Sequence, residues 1–132
     1  ISTYGGSADE MFSIYDMMSI LKAQCEIETI GLGKVMSAGT LLLASGTKGK
    51  RKIGRHCRVM IHAVAAGSAG ELHNMENEMK SIKHIQELYI NALSRETHMT
   101  KRTIQKLLDR RVNVYLTAEE AVEYGIADEI IN

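Results

Sequence analysis

Ser37, His62 and the pair Gly5-Gly6 are the residues of this chain whose types and spacing could do chemistry together. A serine hydroxyl is a poor nucleophile until a base takes its proton, and neutral imidazole is the side chain best matched to that task near pH 7. Ser37 falls inside GLGKVMSAGTLLLASG, residues 31–46, between a strand-like run with Cys25, Ile27 and Thr29 on one face and a short buried helix over 38–44. A serine on such a turn presents its hydroxyl beyond the sheet edge, while the N–H groups opening the helix point to where a negative oxygen would develop. These are the requirements of acyl transfer. Ala38, directly after the serine, and Gly6 are the natural donors of an oxyanion hole. His62 ends the alternating run CRVMIH and can act as base if that strand lies beside the one leading to Ser37. Each feature also has a plain alternative. Taken alone, the Ser37 stretch favours a tight turn entering a core helix, His62 without Ser37 reads as a strand-end histidine satisfied by a backbone carbonyl, and Gly6 as a mobile entry to the first helix.

The 132 residues make one domain, 1–132, and its start at Ile1 without an initiator Met leads us to expect a further N-terminal portion. Sixteen Lys plus Arg balance sixteen Asp plus Glu, which excludes a nucleic-acid or membrane-surface protein working through bulk electrostatics. No run approaches the roughly 18 apolar residues of a membrane span. Cys25 and Cys57 are too few and too far apart for a disulfide framework or a zinc site, and read as buried thiols of a reducing, cytoplasmic compartment.

The elements that must position the site follow in order. Ser7 and Glu10 form a capping-box pattern that opens a helix from 8 to about 24, with Met11, Ile14, Met18 and Leu21 as its buried stripe. Lys48, Lys50, Arg51, Lys52, Arg55 and Arg58 read as a solvated basic hairpin; the glycine spacing is wrong for a P-loop. Beyond the small residues after His62, a long helix over about 70–97 carries Leu72, Met75, Met79, Ile82, Tyr89 and Leu93 on one side, part of it projecting to meet another subunit. His73 and Glu76 have ligand-like spacing on its opposite face, without a second pair to complete a metal site. Thr100 caps a further helix to 110, VNVYL is extended, Thr117 with Glu120 forms a second capping box, Gly125 stops that helix, and IADEII closes as a strand. Strands alternating with helices imply an α/β fold with a largely parallel sheet, whose strand ends bind ligands.

TYGGSADEMFSIYDMM, GKVMSAGTLLLASGTKGKR, CRVMIH and YLTAEEAVEYGIADEI, in that order, resemble the proteolytic subunit of the Clp protease across the whole chain. The resemblance implies a crotonase-like ClpP fold with a handle region over about 63–97, assembled as a homo-oligomer of two sevenfold rings stacked as a tetradecamer around enclosed active sites. It makes the chain a serine endopeptidase acting on unfolded polypeptide, with Ser37 as nucleophile, His62 as base, Gly6 and Ala38 as oxyanion donors, and residues 6–8 and 63–65 holding substrate as an added strand. It implies no cofactor or metal in this subunit, ATP being used by a partner AAA+ unfoldase, and no nucleic-acid or membrane partner. A bacterial, organellar or virus-encoded paralogue would fit.

The departures carry their own implications. Asn113 stands where the triad aspartate is expected; its amide oxygen can accept a proton from His62 but cannot stabilise imidazolium by charge, and such a change costs about 10⁴-fold in serine proteases. Asp109 is a possible substitute, one turn away on a helix. Val112 replaces an arginine that family members use across the ring interface, Tyr4 replaces a proline, and Ala63-Val64 replace a polar residue and a proline. Two other readings therefore stand beside the peptidase: a non-catalytic or weakly catalytic assembly subunit of the same family, and a crotonase-type acyl-CoA enzyme, which needs neither Ser37 nor His62 in these positions.

Overall fold

Six short strands alternate with five helices among the described residues, 1–65 and 70–132 of the computed structural model. They form two three-stranded sheets where one sheet was expected. In the first, β1 (Thr29–Gly31), β3 (Arg51–Gly54) and β6 (Glu129–Ile131) run parallel in the order β1-β3-β6. In the second, β2 (Lys34–Met36) pairs in parallel with β4 (Arg58–Ile61), and β4 pairs antiparallel with β5 (Val114–Leu116). Thr3 extends this second sheet by a parallel bridge to Val35. The α/β expectation therefore holds.

β3 and β4 belong to different sheets, so the basic run between them is not a hairpin. Lys48, Lys50, Arg55 and Arg58 are exposed as expected, whereas Lys52 is half-buried and Arg51 is not solvated at all. Arg51 is almost fully buried and paired with Asp128. Lys50 meets Glu26, Lys52 meets Glu28 and Glu129, Arg55 meets Glu119, and Arg58 lies over the Tyr115 ring. Partners distant in sequence neutralise most of the run, which a local charge count cannot register.

The first helix, α1 (Ala8–Lys22), starts as its Ser7 cap requires, the serine oxygen accepting from the Glu10 N–H. Its buried face is Met11 and Tyr15, whereas Ile14 and Leu21 are exposed and Met18 is half-buried. Tyr15 displaces the expected stripe because its ring enters the core while its hydroxyl donates to Glu96. Extended pairing begins only at Thr29, so Cys25 sits in the turn after α1 and is exposed; Cys57 is buried, as expected.

The short helix α2 (Ala38–Ala44) is the centre of the core, burying Leu41, Leu43 and Ala44 against Val35, Val59 and Ile61 of the second sheet. α3 (Leu72–Glu96) packs only through its C-terminal half, where Tyr89, Ile90, Ala92, Leu93 and Glu96 are buried. Leu72, Met75 and Met79 of its other half are exposed. Part of the handle expected over 63–97, residues 66–69, lies outside the described residues. α4 (Lys101–Leu108) is capped by Thr100, and α5 (Ala118–Glu123) by the full reciprocal box of Thr117 and Glu120. Gly125, with φ +76°, ends α5.

Candidate active site

Parallel register between β2 and β4 sets Val35 beside Val59 and Met36 beside Met60, so the residues just beyond those strands meet. Those residues include Ser37 and His62. Ser37 has φ 56° and ψ −115°, an unfavourable conformation for a residue with a Cβ, which the surroundings must enforce. Its N–H donates to the Met60 carbonyl at 2.8 Å, and its own carbonyl accepts from the Tyr89 hydroxyl at 3.2 Å and the Thr40 N–H at 3.0 Å. The buried Thr40 hydroxyl donates to the Met60 carbonyl at 3.1 Å, tying the start of α2 to β4. This turn is gripped from three elements.

The hydroxyl of Ser37 lies 2.8 Å from Nε2 of His62. Nδ1 of the same ring is 2.5 Å from the Ala63 carbonyl oxygen. A carbonyl can only accept, so Nδ1 carries the proton and Nε2 offers its lone pair to the serine hydroxyl. That is the tautomer a general base needs. The carbonyl partner anticipated as the plain alternative for His62 is thus present together with the serine contact.

Gly5 and Gly6 come alongside because Thr3 pairs with β2, its N–H donating to Lys34 and its carbonyl accepting from Met36. The Gly5 N–H donates to Thr3 Oγ1 at 3.1 Å. Gly6, Ser37, Ala38 and His62 line a cleft of about 320 Å³ whose apolar wall includes Met11, Ile85 and Tyr89. Burial pushes the Tyr89 hydroxyl well above its ordinary pKa, so it stays a donor to the Ser37 carbonyl. Ala38 opens α2, where a backbone N–H has no intrahelical acceptor.

Asn113 is exposed and lines a small pocket with His62 and Ala63, but no hydrogen bond joins it to His62 among the described residues. Asp109 caps the end of α4 and accepts from Gln105, away from the cleft. Val112 is exposed, and His56, His73, His84 and His98 are all exposed away from Ser37. Three contributors escaped sequence reasoning. Tyr89 looked like one more core position, Thr40 like helix filling, and Gln86, which accepts from the Val64 N–H at 3.0 Å, carries no motif at all.

The sequence model of the Clp protease family matches residues 1–132. The chain is 37% identical over its full length to ATP-dependent Clp protease proteolytic subunit 2 of Corynebacterium jeikeium, covering 62% of that protein. It is 38% identical over 99% of its length to proteolytic subunit 1 of Bifidobacterium longum, covering 55% of it, and 36% identical over all of its length to subunit 1 of Prochlorococcus marinus, covering 65%. The chain therefore spans a little over half to two thirds of the length of these relatives.

Proposed function

Because the chain belongs to the Clp protease family, we propose that it is a serine endopeptidase subunit that cleaves unfolded polypeptide in the cleft holding Ser37 and His62. The observation that carries this reading is the 2.8 Å contact between Ser37 Oγ and His62 Nε2, with Nδ1 donating to a carbonyl. Ser37 Oγ attacks the scissile carbonyl carbon while its proton passes to Nε2. The resulting oxyanion is held by the N–H groups of Gly6 and Ala38. His62 returns the proton to the leaving amine as the C–N bond breaks, and water, deprotonated by the same imidazole, then releases the acyl group. The substrate lies extended between residues 6–8 and 63–65, and the wall of Met11, Ile85 and Tyr89 takes an apolar side chain. The reaction uses no cofactor in this subunit.

The same reading makes the chain a homo-oligomer of heptameric rings stacked as a tetradecamer, in the cytoplasm, fed by an ATP-driven AAA+ unfoldase. Exposed Ile14, Met17 and Ile20 on α1 and Leu72 and Met79 on α3 support such contacts, since apolar faces of this kind are normally covered. A weakly catalytic assembly subunit is the second reading, favoured by the absence, among the described residues, of a carboxylate beside His62: Asn113 stands in the pocket instead. Hydrolysis of a fluorogenic peptide by the full-length protein separates the two. We expect activity that Ser37→Ala abolishes and Asn113→Asp raises. An inert native protein that Asn113→Asp does not rescue, although folded and assembled, would replace the peptidase with the assembly subunit.

A further inference from the structure

We propose that Gln86 is a positioning residue for His62, acting through the peptide that joins Ala63 to Val64, and that this relay sets the imidazole tautomer in place of Asn113. The proposal rests on the peptidase reading of Ser37 and His62. Two hydrogen bonds meet on one peptide unit: its N–H, from Val64, donates to Gln86 Oε1 at 3.0 Å, and its carbonyl, from Ala63, accepts from His62 Nδ1. A peptide is planar and nearly always trans, so its N–H and C=O point in opposite directions. Holding the N–H from α3 therefore aims the carbonyl at the imidazole. The two bonds polarise the unit in the same sense, each strengthening the other. Only a residue with a backbone N–H at position 64 can join this chain of contacts, and Val64 supplies one.

The relay does part of what a carboxylate would do. It fixes the ring and keeps the proton on Nδ1, which leaves Nε2 free for the Ser37 hydroxyl, but it adds no net charge beside imidazolium. Asn113 is exposed and makes no hydrogen bond to His62 among the described residues. Gln86 sits between Ile85 and Tyr89, so one turn of α3 lines the cleft, grips the serine carbonyl and orients the base.

The test compares native protein, Gln86→Leu, Gln86→Glu and Asn113→Ala, all full-length, by the rate at which a fluorophosphonate labels Ser37, by kcat and KM on a peptide, and by the ¹⁵N resonances of His62. Gln86→Leu should slow labelling and kcat about 3- to 10-fold, the worth of one neutral hydrogen bond, with KM unchanged. Gln86→Glu, which keeps the acceptor, should restore the native rate. Asn113→Ala should slow labelling and kcat less than Gln86→Leu does, since it removes no bond in the relay. The native spectrum should show the proton on Nδ1, and Gln86→Leu should lower that population. A native rate in Gln86→Leu, a larger loss in Asn113→Ala, or a native proton on Nε2 would each overturn the relay. Unreactive Ser37 in native protein whose His62 proton is on Nδ1 and shifts in Gln86→Leu would sink the peptidase reading while leaving the relay in place.

Discussion

At Gly5 the backbone turns with φ +108° directly against the serine, and a Cβ built there would lie 2.7 Å from Ser37 Cβ and 3.2 Å from its Oγ. Gly5→Ala should therefore cost about 1–3 kcal/mol in strain. Its effect on chemistry should be larger, since displacing a reacting atom by ~1 Å costs about 10²-fold. Gly6→Ala is the control for stability: nothing lies within 4 Å of its Cβ, so the fold should change by no more than about 0.5 kcal/mol. Urea unfolding with fluorophosphonate labelling of both variants checks this, and full reactivity in Gly5→Ala would show that Ser37 does not depend on the bare glycine. The pairing of Ser37 with His62 was legible in the sequence because both close strand-like runs and few other side chains could do their chemistry. Gln86 was not legible, because what it binds is a backbone N–H whose position depends on where α3 crosses the sheet.

Helix α1 shows how an element can be read correctly and its face wrongly. Its start, cap and approximate end follow from local residues, but apolar side chains occur around most of its circumference, and two stripes compete for the core. The winner is decided 81 residues away, where Glu96 accepts from the Tyr15 hydroxyl at 3.1 Å and from Lys22 at 3.4 Å. Burial first, and then the Glu96 charge, raise the tyrosine pKa, so the hydroxyl remains protonated and donating through neutral pH. Tyr15→Phe should lower stability by about 1.5–3 kcal/mol, the range for a hydrogen bond to a charged group. Ile14→Ser, on the exposed face, should change it by less than about 0.5 kcal/mol. Equilibrium unfolding in urea at a concentration where assembly is absent would test both, and the opposite order would return the core face to Ile14.

Across the whole molecule the largest polar investment is a side chain that composition counted as surface charge. The Arg51 guanidinium, 1% exposed, donates to the carbonyls of Ala44 at the end of α2 and Glu96 at the end of α3, and to both oxygens of Asp128 just before β6. Asp128 also accepts from the backbone N–H groups of Gly49 and Arg51. Four elements are thus joined at one cation, and none of these partners could be inferred from a local run of lysines and arginines. The Arg51 hydrogen bonds hold the Asp128 pKa down at about 2, from an ordinary 3.8. A carboxylate whose folded pKa is depressed stabilises the fold fully above its unfolded value and ceases to do so as pH falls through the folded one. The contribution, about 1–2 kcal/mol once solvent screening is allowed for, should therefore disappear between about pH 4 and pH 2. Asp128→Asn leaves the buried guanidinium without its counter-charge, so it should cost about 3–5 kcal/mol at neutral pH and flatten that part of the acid limb. Unfolding midpoints of both proteins across this range decide the matter: an acid limb of unchanged slope in the variant would mean that the other carboxylates, not Asp128, govern acid unfolding.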